Sequence, residues 1–388
     1  MTRRKTSPLS LRGIVGLVAP ILSAYAILIG ASSAHAVESA AREFIIVDLT
    51  TGTVLAEKNP DERMPPSSMS KLMTLYVAFG LLKEGKLKME DAFTVSEKSW
   101  RMQGSKMFLP IGSKVTVAEL LRGIIIHSGN DACIALAEGI AGDEASFANL
   151  LNERAAAIGL TGSHFVNSSG WPDPNHYMTA RDLVRLAERL IKDFPDYYEL
   201  FAEKEFTFNN ITQGNRNPLL YNFAGADGLK TGHTQDAGYG LTASAMREGR
   251  RLILVANGMA SMNERADESA RLLSYGFAEF QNLKILTAGE VVYELPVWLG
   301  ESATVPVVAS SDVVVTLPRS AGKKVEMRIV AAGLALAPVA KAAVLAKLTI
   351  NVPNLAPIEL PLVSAGAVEK VSGFSRMSRV ANHLFTGP

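Results

Sequence analysis

The chain of 388 residues lacks most of the groups on which common catalytic and structural devices depend. It has one cysteine, Cys133, so no disulfide can form within the chain and the core must supply its stability. The six histidines show neither an HExxH motif nor a Cys/His ligand spacing, so we predict no metal and no cofactor. No G-x-S-x-G motif occurs, which argues against a Ser-His-Asp hydrolase.

Excess charge of either sign is also missing. The formal net charge is +1 and no basic stripe stands out, so nucleic acid is not expected as a principal partner. The composition, 48% hydrophobic and 20% charged, is typical of a folded globular protein with room for two or three domains.

The first 36 residues have the composition of a secretory signal peptide. Basic residues near the start precede an apolar stretch from Gly13 to Gly30, and Ala34-His35-Ala36 matches an A-x-A cleavage pattern. An uncleaved membrane anchor is the alternative, because the apolar run is long for a signal. Cleavage after Ala36 would leave 35 basic and 38 acidic residues, a net charge of −3, in an exported, periplasmic protein.

Residues 37–282 are expected to form one α+β domain, an antiparallel sheet flanked by helix clusters. A hairpin over 43–57 begins the domain and a helix over 263–281 ends it. Thr116 and Glu119 match a capping box, and Asp131 is expected to cap the helix that follows. Further helices are predicted at 69–83, 144–158 and 179–192, and strands at 204–211, 226–232, 237–247 and 250–258.

Residues 283–367 read as a small all-β domain, because short β-rich runs alternate with Pro, Gly and Ser turns. The final segment, 368–388, contains an amphipathic pattern over 373–385, with Arg376 and Arg379 opposite an apolar face. Such a helix can lie flat on a membrane and would then be a peripheral anchor on the outer face of the inner membrane. The alternative is a short tail that docks on its own domain.

Lys71 is the most unusual residue of the apolar helix that begins in PPSSMSKLMT (65–74). A cation is disfavoured at the positive end of the helix dipole, and burial also opposes its charge. Ser68 lies three residues earlier, on the same side of the first turn, where a free amine could take its proton. The alternative is that Ser68 caps the helix and Lys71 reaches solvent. Ser320 and Lys323 have the same spacing, but between two strands, where a loop is expected.

Two further short motifs carry groups suited to substrate binding. Ser128-Gly129-Asn130 interrupts two apolar helical segments and could direct a hydroxyl and an amide into a cleft; a plain turn is the alternative. Lys230-Thr231-Gly232, on a predicted strand, offers a cation and a hydroxyl to a carboxylate. Gly232 would let an extended peptide approach the strand edge. A surface lysine before a turn is the alternative for this motif.

The order S-x-x-K, S-x-N, K-T-G resembles that of penicillin-binding proteins and serine β-lactamases. Longer stretches are similar to the low-molecular-mass D-alanyl-D-alanine carboxypeptidases, and they cover nearly all of the chain after residue 36. They are PPSSMSKLMTLY, HSGNDACIALAE, MTARDLVRLAERLI, EFTFNNITQGNRNPLL, DGLKTGHTQDAGYGLTASA, TLPRSAGKKVEMRIV and LAPVAKAAVLAKLTI.

This resemblance implies a penicillin-recognising serine hydrolase (β-lactamase-like) fold with a β-rich second domain. It implies that Ser68 is acylated by a peptidoglycan stem peptide ending in D-Ala-D-Ala, with Lys71 as base, and that β-lactams inhibit covalently. Ser128 would pass a proton to the leaving amine and Asn130 would bind the acyl amide. The terminal carboxylate would lie on Lys230 and Thr231, and the oxyanion on the N–H groups of Ser68 and His233.

Other residues have weaker assignments. Asp193 and Arg216 match family positions near the strand lysine and could support the site, although ion pairing elsewhere explains them equally well. The His233 side chain could tune the site or be a core histidine with its hydrogen bonds satisfied. Cys133 is expected to be a buried small residue near the cleft.

Two other functions remain open at this point. A class A β-lactamase needs an E-x-x-L-N glutamate, whereas Ala148 stands at that position of the only L-N match, in a predicted helix. Fast β-lactam hydrolysis is therefore not expected. A non-catalytic peptidoglycan-binding envelope protein would keep the fold but form no covalent penicillin adduct.

Overall fold

The computed structural model describes residues 37–331, 333–352, 356–373 and 377. The described chain divides into two compact units, one ending at Phe280 and one beginning at Gln281. The first unit contains β1 (Glu43–Asp48), β2 (Thr53–Lys58), α1 (Lys71–Lys83), β3 (Ala92–Thr94), α2 (Glu97–Arg101), β4 (Lys114–Thr116), α3 (Val117–Ile125), α4 (Asn130–Ala141), α5 (Glu144–Ala157), α6 (Ala180–Asp193), α7 (Pro195–Tyr198), β5 (Glu205–Phe208), β6 (Ile211–Gly214), α8 (Leu219–Asn222), β7 (Ala226–Thr234), β8 (Gly238–Arg247), β9 (Arg250–Met259) and α9 (Met262–Glu279).

The first unit is built on a five-stranded antiparallel sheet in the order β2-β1-β9-β8-β7. Every residue of β1 is buried, since apolar residues cover both faces of this strand. Ile45 and Val47 join one hydrophobic cluster while Phe44 and Ile46 join another, as the two-residue period of a strand requires. This arrangement confirms the prediction of an antiparallel α+β sheet and leaves β7 at one edge.

Helix α1 lies in the core of the helical part and packs against α3, α4, α5, α6 and β7. Its apolar residues face all directions, which explains why most of the helix is buried. A 3-10 turn over Ser67–Ser70 precedes it, so the S-x-x-K motif spans the junction of the two helices. Ser68 thereby lies in the 3-10 turn, and Lys71 is the first residue of the buried helix.

Several local predictions are confirmed. Thr116 and Glu119 form a capping box at the start of α3, and the Thr179 side chain caps α6. The single strand expected at 204–211 is wrong: the chain forms the hairpin β5–β6. Asn209 and Asn210 have φ angles of 50° and 62°, as a two-residue hairpin turn requires.

The cap predicted at Asp131 is also wrong. Gly129 is the N-cap residue of α4, and Asp131 lies inside the first turn. Its buried carboxylate instead accepts hydrogen bonds from the backbone N–H groups of Met107, Phe108 and Leu109, at 2.8, 2.9 and 3.2 Å. The carboxylate binds the loop 107–109 because the three N–H groups of this loop have no partner in a helix or strand.

The second unit is all-β among its described residues. A six-stranded sheet has the order β14-β16-β17-β12-β11-β15, and β10 pairs with β13. The elements are β10 (Phe280–Leu286), β11 (Val291–Trp298), β12 (Thr304–Val308), β13 (Val313–Pro318), β14 (Glu326–Ala331), β15 (Ala335–Leu336), β16 (Val344–Asn351) and β17 (Ile358–Ser364). The β-rich prediction is confirmed. The second S-x-x-K copy, expected in a loop, lies in a 3-10 stretch, Arg319–Lys324, with Ser320 exposed.

The predicted signal peptide lies outside the described residues, as does most of the amphipathic segment 373–385. Within the described ranges, none of the helices combines the length and the apolar character needed to cross a bilayer.

Candidate active site

The 3-10 turn before α1 brings Ser68 and Lys71 into direct contact. Lys71 Nζ lies 2.8 Å from Ser68 Oγ, and Ser68 is half-buried whereas Lys71 is fully buried. The alternative in which the lysine side chain reaches solvent is therefore wrong. The structure also gives Ser68 no capping role at this helix, since neither the 3-10 turn nor α1 has a side-chain cap.

Lys71 Nζ has two other oxygen neighbours, both of which can only accept hydrogen bonds. They are Asn130 Oδ1 at 2.7 Å and the Ser169 carbonyl at 2.6 Å. Burial lowers the pKa of Lys71 to about 8, and the charge of Arg216 lowers it further, against the opposing charge of Asp131. About a tenth of the amine is therefore neutral at pH 7.

The Ser-Gly-Asn segment lies at the start of α4, facing Lys71. Ser128 is buried with φ of +59°, and Asn130 is the first residue of the helix. Besides accepting from Lys71, the Asn130 amide donates through Nδ2 to the Gln103 carbonyl at 2.8 Å. Both ends of this amide are thus fixed, which orients Oδ1 toward the lysine.

The K-T-G segment lies on β7, the edge strand of the sheet. Lys230 and Thr231 are buried, and Lys230 Nζ donates to the Thr231 carbonyl at 3.1 Å. Burial, with the nearby charge of Lys71, lowers the pKa of Lys230 well below its ordinary value. Among the described residues Lys230 has no anionic partner, and a bound carboxylate would favour its protonated form.

Glycine at 232 has a packing reason that the sequence did not indicate. A Cβ atom there would lie 2.9 Å from the Pro66 carbonyl and 3.2 Å from Met69 Cγ. Glycine therefore lets β7 pack against the turn that carries Ser68, because any side chain would push the two apart. This contact brings the K-T-G strand next to the S-x-x-K turn.

Two arginines add positive charge to this region. Arg216, one of the predicted supporting residues, hydrogen-bonds Ser105 Oγ, and its charge contributes to lowering the pKa of both Lys71 and Lys230. Arg265 was not predicted. It is buried in α9, its charge also lowers the pKa of Lys230, and its Nε has no partner among the described residues. Arg265 is a single arginine in a polar helix, so nothing in the sequence indicated that it lies near the site.

The other supporting residue, Asp193, has no hydrogen bond or ion pair with the strand lysine among the described residues. Its carboxylate accepts from Tyr76 Oη at 2.8 Å and pairs with Arg189, while its backbone carbonyl accepts from Lys83. Lys83 is the last residue of α1 and Lys71 is the first, about 18 Å away at 1.5 Å per residue. The ion-pairing explanation is the one that the structure supports.

His233 is exposed and stacks on Tyr239, with ring centroids 3.9 Å apart. Of the two interpretations of this side chain, the core histidine is therefore wrong. The residue ends the K-T-G run on the edge strand, where alternate side chains of β7 leave the core. Its backbone remains at the cleft edge.

The loop 164–178 supplies a contact that the sequence did not indicate, the Ser169 carbonyl that accepts from Lys71. The Glu144 carboxylate accepts from the N–H and hydroxyl of Ser168 at 3.1 and 2.7 Å, and the Ser168 carbonyl accepts from Thr74. A backbone carbonyl carries no residue-type signal, so only the folded loop could reveal it.

Cys133 is buried, and burial raises the pKa of its thiol to about 12. The thiol is therefore neutral at physiological pH. The Cys133 N–H donates to the Gly129 carbonyl at 3.2 Å, one turn past the Ser-Gly-Asn segment, which places the residue near the cleft, as expected. No group of histidine, cysteine and acidic residues suited to a metal ion occurs within the described ranges.

Comparison with known proteins agrees with this architecture. Residues 30–261 match the family model described as D-alanyl-D-alanine carboxypeptidase, and residues 280–370 match that of the penicillin-binding protein 5 C-terminal domain. The D-alanyl-D-alanine carboxypeptidase DacA of Haemophilus influenzae is 38% identical over 353 residues, 89% of each chain. DacA of Escherichia coli strain K12 is 41% identical over 286 residues, 72% of this chain and 71% of the relative.

The crystal structure of penicillin-binding protein 5 from Haemophilus influenzae is also similar. Its TM-score is 0.79 at 37% identity, covering 86% of this chain and 99% of that one. The fold and the clustered S-x-x-K, S-x-N and K-T-G residues define a penicillin-recognising serine hydrolase. Within this class, the chain belongs to the D-alanyl-D-alanine carboxypeptidase family.

Proposed function

We propose that this enzyme removes the terminal D-alanine from peptidoglycan stem peptides through an acyl-enzyme on Ser68. The observation that carries the proposal is the buried Lys71 amine, 2.8 Å from the Ser68 hydroxyl. A nucleophilic serine needs an adjacent base, and burial supplies one by favouring the neutral amine.

The acceptors around Lys71 determine where its lone pair points. Two N–H groups of the neutral amine donate to Asn130 Oδ1 and to the Ser169 carbonyl, which cannot donate in return. The remaining position on nitrogen faces Ser68 Oγ and carries the lone pair. Ser68 then donates its proton to Lys71 as its oxygen attacks the carbonyl of the penultimate D-alanine.

The leaving group and the oxyanion need their own partners. Ser128 passes a proton to the departing amine of D-alanine, and Asn130 binds the acyl amide besides holding Lys71 in place. The backbone N–H groups of Ser68 and His233 receive the oxyanion; a donor of this kind is typically worth about 3 kcal/mol. Water then attacks the acyl-enzyme, with Lys71 as its base.

The terminal carboxylate of the substrate binds at the cationic end of the cleft. Lys230 and Thr231 contact it, with Arg216 and the unpredicted Arg265 contributing positive charge. Burial has lowered the pKa of Lys230, and a bound carboxylate supplies the opposite charge that the free cleft lacks. Gly232 keeps this strand close to Ser68.

Rapid β-lactam hydrolysis is not favoured. Ala148, which stands at the position of the class A glutamate, lies within α5. A penicillin should therefore acylate Ser68 and remain for minutes or longer. A non-catalytic binding protein is not favoured either, because such a protein has no need of a buried amine beside a half-exposed serine.

The Ser68→Ala variant tests this function. We expect it to lose both fluorescent-penicillin labelling on a gel and D-alanine release from a synthetic stem pentapeptide, since no other hydroxyl is in contact with Lys71 in the described structure. Mass spectrometry of the peptide would show the loss of one alanine with the wild type only. Ser320→Ala, in the second S-x-x-K copy, is the matched control and should behave as wild type. Labelling of Ser68→Ala would contradict the assignment.

We also propose export to the periplasm, with residues 1–36 as a cleaved signal. Residues 37–282 would form the peptidase domain, 283–367 the β-rich domain, and 368–388 a peripheral membrane anchor. The basic start, the apolar stretch and the A-x-A pattern support the first of these assignments. The amphipathic pattern over 373–385 supports the last.

A further inference from the structure

A buried histidine of the loop 164–178 has no role in the mechanism proposed above. His176 is 3% exposed, and its Nε2 lies 2.6 Å from the hydroxyl of Ser70. Ser70 is buried and ends the 3-10 turn Ser67–Ser70, which carries Ser68 and is called the nucleophile turn below. The next residue along the chain is Lys71. The imidazole therefore contacts the backbone segment directly before the amine that serves as base.

The neighbours of the imidazole determine which of its nitrogens carries the proton. The backbone N–H of Val166 donates to His176 Nδ1 at 3.3 Å, so Nδ1 carries a lone pair. Burial lowers the pKa of His176 to about 4, which makes the ring neutral at pH 7. The single proton of the neutral ring is then on Nε2, and this N–H donates to Ser70 Oγ.

The same loop contacts the nucleophile turn and its flank at two further places. The Ser169 carbonyl accepts from Lys71 Nζ at 2.6 Å. Gly170 lies so close to the turn that a Cβ atom at this position would be 1.9 Å from the Ser67 carbonyl oxygen. These two contacts lie in the middle of the loop, whereas His176 lies near its end. Loop and turn are thus joined at three points.

The nucleophile turn needs such support because it is a 3-10 helix. Hydrogen bonds in 3-10 turns have poorer geometry than those of an α-helix, and no side chain caps this turn in the described structure. The lone pair of Lys71 faces Ser68 only while the Ser169 carbonyl remains within hydrogen-bond distance of the amine. A shift of the loop relative to the turn would therefore change both contacts of the amine at once.

Ring packing by itself does not require a histidine at this position. The His176 ring lies edge-on to Phe165, with the ring centroids 5.6 Å apart and the planes at 87°, a contact that phenylalanine could make equally well. A phenylalanine would, however, leave the buried Ser70 hydroxyl without its partner. What histidine adds is a neutral ring that donates to the turn and accepts from its own loop.

We propose that His176 is a positioning residue for the acylation of Ser68. Its hydrogen bond to Ser70 holds the loop 164–178 on the nucleophile turn. The Ser169 carbonyl then stays within reach of the lysine amine, and the lone pair of that amine stays directed at the serine hydroxyl. This inference rests on the proposed function, because it takes the buried lysine as the base.

Two substitutions of His176 separate hydrogen bonding from packing. His176→Gln keeps an N–H donor close to the position of Nε2, whereas His176→Phe keeps a ring and removes the donor. We expect the acylation rate constant at saturating penicillin to fall about 10- to 100-fold in His176→Phe and to stay within about threefold of wild type in His176→Gln, since a displacement of about 1 Å at a reacting group can be this costly. The dissociation constant of the non-covalent penicillin complex should change by about twofold or less in both. Stopped-flow measurements over a range of penicillin concentrations give the two constants separately.

Ser70→Ala removes the same hydrogen bond from the other side and leaves the imidazole unchanged. It should lower the acylation rate constant as much as His176→Phe does, and the double variant should lose no more than either single variant. His164→Phe is the matched control, because this histidine of the same loop hydrogen-bonds the Asn175 carbonyl within the loop. It should be acylated at the wild-type rate. Thermal unfolding of every variant shows which of them are folded.

A folded His176→Phe or Ser70→Ala variant that is acylated at the wild-type rate would overturn the positioning role. An equal loss in His176→Gln and His176→Phe would overturn it as well, because the donor would then make no difference. If His176→Phe does not fold, the rate constant of Ser70→Ala decides. Wild-type protein that neither releases D-alanine from a stem pentapeptide nor forms a penicillin adduct would instead overturn the proposed function.

Discussion

Lys71→Arg should slow acylation by penicillin about 1000-fold or more, although it keeps a cation at the same position. Arginine remains protonated at all accessible pH values, so it cannot take the proton from Ser68. Loss of a general base typically lowers the rate 10²- to 10⁴-fold. The second-order rate constant for acylation, measured by stopped-flow with a fluorescent penicillin, checks this expectation.

Lys83→Arg, at the other end of α1, is the matched control, because Lys83 hydrogen-bonds the Asp193 carbonyl. This variant should be acylated at the wild-type rate. Thermal unfolding of both variants separates a chemical effect from a failure to fold. If Lys71→Arg is folded and acylates within tenfold of wild type, the lysine is not the base and its role would be purely electrostatic.

Asp131→Ala should produce the largest loss of stability among substitutions close to the site. The buried carboxylate accepts from three consecutive N–H groups of the loop 107–109 and from its own helix, through the Ala132 N–H. Unsatisfied buried donors cost about 1–3 kcal/mol each, so a loss of roughly 3–5 kcal/mol in the free energy of unfolding is expected. Denaturant unfolding followed by circular dichroism measures it.

The Asp131→Ala substitution should also slow acylation at the active site. The connection between α2 and β4, which contains residues 107–109, also provides the Gln103 and Ser105 carbonyls that accept from the Asn130 side chain and backbone. Acylation should therefore slow even under conditions where Asp131→Ala remains folded. Asp143→Ala removes an exposed N-cap carboxylate from α5 and is the control, with a clearly smaller stability change and normal acylation. Equal losses in the two variants would contradict the special role of Asp131.

The sequence was sufficient to predict those features that depend on local patterns. The hairpin β1–β2, the capping box at Thr116 and the buried helix behind Lys71 follow from periodicity and capping chemistry. The same reasoning distinguished Ser68 from Ser320, because only one of the two copies opens an apolar helix. The Asn-Asn turn between β5 and β6 was a local signal too, and it was overlooked.

Features that depend on distant contacts could not be predicted. Two contacts form only when the chain folds: Lys71 with the Ser169 carbonyl, and Asp131 with the N–H groups of the loop 107–109. The sequence does not reveal them, because backbone groups are the same in nearly every residue. The two interpretations of Asp193 stayed open in the sequence for the same reason: its partners Tyr76 and Arg189 are not revealed by any spacing. Arg265 contacts the Arg216 carbonyl and the Tyr239 ring only because α9 packs against β8 and β9.

The central claim is that burial makes the Lys71 amine a base near neutral pH, and the pH dependence of penicillin acylation tests it most directly. With a pKa of about 8, roughly a tenth of the amine is neutral at pH 7. The second-order acylation rate should therefore rise about tenfold per pH unit from pH 6 and stop rising near pH 8. A rate that is flat from pH 5 to 9, or that climbs without a break past pH 9.5 as for an ordinary lysine, would contradict it.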